Sequence, residues 1–334
     1  MRRKCWVELI KENSVVTETY LRAIGDSYAS LGFDVKYVYD ALSGGDLRQD
    51  VYVVAVAPSA ARLAKKGAKH IVFWAQGIWP EESYMRNGSR MRFVYCGLIE
   101  KTALRKAERL FLVSNAQLEH YEKKYRLALR RKAYVMPCSN AVFHDQSFEL
   151  EGKYSHPVFV YAGSLAKYQC IDRMLDAFAA AQAVKPSAEL LFYTGQQEEA
   201  KTLVEARKLK NVTVGYAKPS EMDRILAGAK YGFVIRDDSV VNRVATPTKI
   251  SSYISNGVIP VYTTSLMAFE ETSNGVTKLP YDEASFRSLF GDFEELSIDP
   301  RKLREEYRRY FDSQFNLALR KIEMADYLKD GVLG

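Results

Sequence analysis

Short apolar runs alternate with longer amphipathic stretches from one end of this chain to the other. In the first half the apolar runs fall at 5–10, 33–39, 51–57, 71–75, 110–114 and 133–137. Runs this short, bounded by polar and turn-forming residues, predict buried strands. The stretches 17–31 and 90–106 instead space their apolar residues three and four apart, as a helix burying one face does. The second half repeats the plan, with strands predicted at 158–162, 189–194, 212–214, 232–236 and 258–263. Its helices are predicted at 171–184, 198–209, 219–227 and 248–255, and a charged helical stretch follows at 300–328. Such alternation builds a parallel sheet covered by crossover helices, here twice over. The expected class is therefore α/β with two Rossmann-like, doubly wound domains. The polar segment 139–157 is the expected connection, placing the first domain at 1–145 and the second at 146–310.

Between Ser239 and Thr263 the pattern becomes specific. Pro247 has the fixed φ that suits a first helical turn, and Thr246 offers a hydroxyl able to cap it. Lys249 then sits inside that turn, where a cation opposes the positive end of the helix dipole. Its position makes more sense if an anion docks at the same point. Ile250, Tyr253 and Ile254 form the apolar stripe, Gly257 ends the helix, and 258–263 returns as a strand. These residues alone fit two readings: a phosphate site at a sheet edge, or a helix that starts well and carries an exposed lysine.

Pro247, Thr248, Lys249, Gly257, Pro260 and Val261 resemble the donor-binding segment of retaining glycosyltransferases of family four. In many of those a proline-threonine-lysine turn precedes a helix, then a glycine, then a proline-valine strand. The resemblance implies the GT-B fold, in which two doubly wound domains face each other across a cleft. It implies that the C-terminal helix, 311–334, crosses back to the first domain. Ligands in such sheets bind outside the carboxyl ends of the strands, so the cleft is the expected site.

On the donor side, strand 158–162 runs into Gly163-Ser164-Leu165, whose amides could face a phosphate. By itself this is an ordinary strand-to-helix loop; the family has its own strand–glycine–loop at the same place. The family's arginine after this glycine is Ser164 here, and its following lysine is Gln169. Lys167, two residues earlier, would join Lys249 on the donor diphosphate. The family's paired glutamates fall at Val244 and Ser252, which leaves Ser252 to bond a ribose hydroxyl. Arg236, Asn242 and Arg243 are further candidates for sugar or phosphate contacts, while Asp237 and Asp238 read equally well as a polar strand-end turn. Gly195 and Tyr216 stand where the family places the base, and Tyr216 could stack there or simply pack.

On the acceptor side, Trp74 and Trp79 lie beside Glu81 and Glu82, and aromatic faces next to polar groups suit a sugar ring. The competing reading makes Trp74 core and the two glutamates favourable first-turn helix residues. The family's histidine has no match in this domain, and its glycine-rich first loop is replaced by 11–19.

Composition narrows the rest. With 334 residues, 47% hydrophobic and 27% charged, the chain is a globular protein large enough for two cores. No apolar run reaches the length of a membrane span, and the N-terminal apolar run is too short for a secretory signal. Cys5, Cys96, Cys138 and Cys170 are scattered, which suits reduced thiols in a cytoplasm, and the four histidines show no ligand spacing, so no metal is expected. Much of the +7 net charge lies between Lys101 and Lys132, interleaved with Tyr121, Tyr125, Leu127, Leu129 and Tyr134. That mixture fits peripheral association with an anionic membrane surface at its inner face, or a merely solvated face. No nucleic-acid motif accompanies it.

The resemblance thus implies a metal-independent, retaining transferase that moves a sugar from a nucleotide-sugar donor to a glycan or lipid-linked acceptor of a surface polysaccharide. The nucleotide sugar is a substrate, and no cofactor is implied. Such transfer needs no protein nucleophile, because the departing diphosphate itself helps deprotonate the incoming hydroxyl. Lys167, Lys249 and the helix end at Thr248 would position and stabilise the leaving charge. Two other readings remain open: a non-catalytic sugar- or partner-binding protein, and a nucleotide-sugar epimerase on the same frame.

Overall fold

The computed structural model describes residues 3–10, 15–139 and 141–332. The chain divides into two compact units, unit 1 of Met1–Cys138, Arg243–Thr246 and Gln314–Gly334, and unit 2 of Ser139–Asn242 and Pro247–Ser313. Unit 1 is built on strands β1 Lys4–Glu8, β2 Asp34–Val38, β3 Val51–Val54, β4 His70–Ala75, β5 Arg109–Leu112 and β6 Ala133–Val135. They pair in the order β2-β1-β3-β4-β5-β6, all parallel. Unit 2 is built on β7 Val158–Ala162, β8 Glu189–Tyr193, β9 Val212–Gly215, β10 Tyr231–Val234, β11 Ile259–Tyr262 and β12 Leu279–Pro280. Their order is β12-β11-β10-β7-β8-β9, again all parallel. In each sheet the order reverses once, between β1 and β3 and between β7 and β10. In sheets of this kind a reversal point is where the loops at the carboxyl ends diverge and ligands bind.

Burial follows from this layering. The central strands β3, β10 and β11 are buried along their whole length, as parallel strands covered by helices on both faces must be. The outer β2 and β9 are not fully buried at any position. The sequence pattern extends the third strand to 57, but Ala57 opens the helix Ala57–Lys66. Pro58 lies in its first turn, and Gly67, at φ 92°, ends it in the left-handed region.

Two other expectations are corrected. The segment 139–157 is no free linker: Phe148 is fully buried and stacks on Phe143 at 5.3 Å, inside unit 2. Asp145 and Glu149 of the same segment pair with Arg308 and Arg304. The stretch 300–328 is not one helix but two, Pro300–Gln314 and Leu317–Val332. Asn316 separates them, its Oδ1 accepting from the amides of Ala318 and Leu319 at 3.2 and 3.4 Å and so starting a new helix. The second helix belongs to unit 1, where Met324 and Leu328 are buried in one cluster with Leu21, Ile24 and Tyr28.

The helix Thr248–Ser255 is fixed over the reversal point of unit 2. Tyr253 lies against Gly232 of β10, where a Cβ would come within 2.5 Å of its ring. Its hydroxyl lies 3.3 Å from the Phe233 carbonyl and 3.5 Å from that of Val160, bridging β10 and β7. Gly257 follows at φ 69°, with a Cβ position only 2.6 Å from the Tyr154 hydroxyl, so the turn there needs glycine on both counts.

Candidate functional site

The carboxyl edge of the unit 2 sheet collects most of the residues singled out from the sequence. Gly163 follows β7, Gly195 lies just beyond β8, Tyr216 follows β9 and Arg236 lies just beyond β10. Backbone bonds lace these ends together: the Gly163 amide donates to Tyr193 at 3.0 Å and the Thr194 amide to Gly215 at 2.9 Å. The Arg236 backbone is held from both sides, its amide donating to Thr263 Oγ1 at 2.9 Å and its carbonyl accepting from Ser265 and Arg173.

At the reversal point itself sit two cations. Lys249 Nζ donates to Gln169 Oε1 at 3.1 Å and lies 5.0 Å from the centre of the Tyr161 ring. It abuts Gly163, where a Cβ would come 3.0 Å from the ammonium. The Arg236 side chain is buried, donates to its neighbour's carbonyl at 3.0 Å and lies against the Tyr168 ring at 5.7 Å. Burial first, and the Arg236 charge second, push the Lys249 ammonium down to about 7. Burial likewise lowers Arg236. Among the described residues no carboxylate pairs with either side chain. Two adjacent cations withdrawn from water without a counter-charge are costly, and ring faces and a single amide oxygen compensate only in part. An anion bearing more than one charge would satisfy both, and the amides at the start of Thr248–Ser255 point the same way.

The structure brings Gly163, Lys249 and Arg236 together, and strings Gly195 and Tyr216 along the same edge. Tyr216 is exposed. Ser164 and Lys167 are also exposed, in the loop after β7, and Lys167 makes no bond with the cluster among the described residues. Its short turn, Lys167–Gln169, instead carries Gln169 inward to Lys249. Gln169, Tyr161 and Arg173 were missed by reasoning from sequence; only the position of Gln169, where the family has lysine, could have signalled it. Pro247 is the residue before the helix rather than inside its first turn, and no side chain caps it. The Thr246 hydroxyl accepts from the Cys138 amide at 3.4 Å, so it does not serve as the cap. Thr248 begins the helix, and Ser252, one turn in, donates to the Thr248 carbonyl at 3.2 Å. Asn242 is buried, with its amide donating to the Asp237 carbonyl at 2.9 Å. Arg243 is exposed and is counted with unit 1.

In unit 1, Trp74 is fully buried and stacked on Tyr20 at 5.3 Å, so its ring presents no face to a sugar. Trp79 starts the helix Trp79–Asn87, its amide donating to Glu100 Oε1 at 3.0 Å. Glu82 accepts from the Ile78 amide at 3.2 Å, and burial raises its pKa. Glu81 is engaged by His120 at 3.0 Å and Lys124 at 2.7 Å. Of the interleaved apolar residues of the basic region, Tyr121 and Tyr125 are buried because the helix Asn115–Tyr125 turns that side to the core; Leu129 beyond it is buried too, and Leu127 and Tyr134 are half-buried. Lys11–Ser14, the first four residues of the loop that replaces the family's glycine-rich one, lie outside the described residues. Among the described residues no group of three or more histidine, cysteine or acidic side chains is gathered to hold a metal. No described helix is long and apolar enough to cross a membrane.

No family model matches the chain, and no curated protein does. Solved structures do. Sucrose-phosphate synthase from Thermosynechococcus elongatus aligns over 99% of this chain and 100% of its own, at 15% identity and a TM-score of 0.71. HepE from Anabaena, in complex with UDP-glucose, aligns over 98% and 99%, at 13% identity and a TM-score of 0.69. WaaG, a glycosyltransferase involved in lipopolysaccharide biosynthesis, aligns over 97% and 98%, at 13% identity and a TM-score of 0.60. Likeness at such identities is likeness of fold, and the fold of this chain, with its two parallel-sheet Rossmann-like domains, is GT-B.

Proposed function

We propose that Lys249 and Arg236 hold the diphosphate of a nucleotide-sugar donor and that the chain transfers the sugar to a hydroxyl of a glycan acceptor, with retention. One observation carries this reading: two neighbouring desolvated cations that no carboxylate pairs among the described residues, at the point where the strand order of unit 2 reverses. HepE, a structure of the same fold, holds UDP-glucose, which supports a donor of this class.

The residues present suit departure of a diphosphate. Charge builds on the leaving oxygens as the glycosidic bond breaks, and fixed cations in a partly dry site stabilise that charge without reorganising. A donor diphosphate also draws the Lys249 proton on, so the ammonium is complete when it is needed. Lys167, exposed on the loop after β7, supplies a further cation to the entering donor. Gly163 leaves room for phosphate oxygens beside Lys249, Ser252 receives a ribose hydroxyl, and Tyr216 offers its ring to the base. The departing phosphate takes the acceptor proton on the same face, so the protein supplies neither nucleophile nor metal. The acceptor we propose is lipid-linked and destined for a surface polysaccharide, with the chain at the cytoplasmic face of the membrane. WaaG, of the same fold, acts in lipopolysaccharide biosynthesis, which is in keeping with this.

Calorimetry with UDP and GDP tests the proposal. Wild-type protein should bind one of them, and Lys249→Ala should lower that affinity about 100-fold or more while circular dichroism stays unchanged. An affinity that survives the substitution removes the phosphate site. Binding without transfer or hydrolysis of any nucleotide sugar would leave a binding protein and refute the transferase.

A further inference from the structure

Unit 2 holds a cavity of about 580 Å³ away from the carboxyl edge that carries Lys249. Pro157, Ser187 and Lys230 in its wall stand just before β7, β8 and β10, so it lies at the amino ends of the strands. Its volume is that of a small-molecule site.

The wall carries three lysines and two glutamates. Lys230 and Glu294 pair at 2.6 Å with both side chains almost wholly buried, and the Tyr231 hydroxyl donates to the same carboxylate oxygen. That pair is complete. Lys185 has Glu295 at 3.4 Å, but this glutamate is mostly exposed, so another anion can replace it at little cost. Lys153 is buried, and among the described residues no carboxylate pairs with it. Its ammonium donates to the carbonyls of Ser147, at 2.9 Å, and Asn256, which occupies two of its three N–H groups. Burial pushes it down to about 7. A cation closing the end of the helix Thr248–Ser255 accounts for the bond to Asn256. It does not account for a hollow of this size beside a charge that folding has taken out of water.

We propose that this cavity binds a small hydroxylated phosphate monoester, with Lys153 and Lys185 meeting the phosphate and Glu295, Ser155 and Ser297 meeting the hydroxyls. Charge selects the ester. A carboxylate brings one negative charge, whereas a phosphate monoester carries nearly two at neutral pH and answers both lysines. Volume selects the skeleton, because an inorganic phosphate would leave most of the cavity unfilled. Ser155 and Ser297 are exposed and can each give or accept a hydrogen bond. Leu150 and Leu296, exposed in the same wall, offer apolar contact to the carbon chain. The proposal stands apart from the donor reading, since the two sites share no residue.

Calorimetry of the full chain with glucose 6-phosphate and glycerol 3-phosphate is the test. Wild-type protein should bind at least one of them, and more tightly than inorganic phosphate, glucose or glycerol. Lys185→Ala should lower that affinity roughly two- to fivefold, and Lys153→Met roughly tenfold or more. Because Lys153→Met also strips two carbonyls of their donor, Ser297→Trp provides a variant that keeps both lysines. Its ring fills the cavity from the exposed side and should abolish binding. Lys249→Ala should bind the ester as wild type does, which separates this site from the proposed donor site. The proposal is overturned if neither ester binds, or if inorganic phosphate binds as tightly as the esters. It is overturned equally if ester binding is lost in Lys249→Ala and kept in Lys185→Ala and Ser297→Trp.

Discussion

Units 1 and 2 each draw a lysine in among polar side chains, with opposite electrostatic results. In unit 1, Lys124 Nζ lies 2.7 Å from Glu81 and 3.8 Å from Glu100, and His120 meets Glu81 at 3.0 Å. Tyr121 and Tyr125 donate to Glu100 at 3.2 and 2.7 Å, so the opposite charges of the cluster face one another. In unit 2, Lys249 meets a glutamine, a tyrosine ring and a second cation. A cluster whose charges cancel internally fixes structure, and one left with excess charge of a single sign is prepared for a ligand. Burial by itself therefore does not mark the site; the missing counter-charge does.

The sharpest way to break that comparison is to remove each lysine with a side chain of similar length. Lys124→Met strands Glu81 and Glu100 in a poorly hydrated place and should destabilise the protein by about 3 kcal/mol. Lys249→Met removes a cation that pairs with no carboxylate among the described residues. Denaturant unfolding without ligand should find it within about 1 kcal/mol of wild type, or more stable. Equal losses in the two variants would mean that both clusters are structural, and the contrast would fail.

Next in size is the affinity lost with Lys249, proposed above as about 100-fold, or roughly 2.7 kcal/mol. The same calorimetric titration of Lys124→Met, at a temperature where it is folded, should give wild-type affinity. A shared loss would tie nucleotide binding to the stability of unit 1 and blur the distinction.

How far the sequence revealed this contrast depends on range. The helix Thr248–Ser255 and the helix Ile171–Val184 were legible to the residue, because each is set by local spacing and a nearby turn. Lys249 was legible as a candidate for the same reason, through the proline-threonine-lysine turn. Its environment was not. Gln169 and Arg236 reach it from other strands' loops, so only the parallel strand order β10-β7 makes them neighbours. The misreadings share that origin. Tyr121 and Tyr125 are amphipathic side chains whose burial depends on which face the tertiary structure covers. The helix Arg90–Lys106 turns an apolar stripe of Met91, Val94, Tyr95 and Leu98 outward, and periodicity says nothing about which side meets the core. The break at Asn316 follows Asp312, Ser313 and Phe315, weak helix formers, with the Asn316 side chain accepting from the first amides of the next helix.

Protonation provides a finer contrast. Burial raises the Glu100 carboxyl to about 7, so the folded state holds its proton more tightly than the unfolded chain. That stability is complete in the acid range of free carboxyls and is lost as pH rises through about 7. Lys249 is depressed to about 7 from 10.5, so its burial opposes folding fully below pH 7, and stability rises between there and about 10.5. Lys153, buried and likewise lowered to about 7, adds to that rise. Glu100→Gln should flatten the pH profile below 7, and Lys249→Met should remove part of the slope above it. A bound diphosphate needs the ammonium, so UDP affinity should fall as pH climbs above 7, by up to about tenfold per unit. Titrations in buffers of different ionisation enthalpy should show proton uptake on binding at pH 8.5 in the wild type and none in Lys249→Met. Uptake that persists in the variant would assign the proton elsewhere.

The smallest effect concerns Ser252, where the site is most lightly built. Its hydroxyl already donates to the Thr248 carbonyl at 3.2 Å, so toward a ribose it can act as acceptor without losing that bond. A neutral bond of this kind contributes about 0.5–1.5 kcal/mol, and Ser252→Ala should weaken nucleotide binding by roughly two- to tenfold. Loss of affinity alone would not show contact, since the substitution also frees a helix carbonyl. A double-substitution cycle separates the two: wild-type protein should lose affinity for 2′-deoxy or 3′-deoxy UDP, and Ser252→Ala should be indifferent to the same deletion. Additive losses would mean that Ser252 acts through the helix and not on the sugar. The ribose would then have to be read by another side chain of the unit 2 edge.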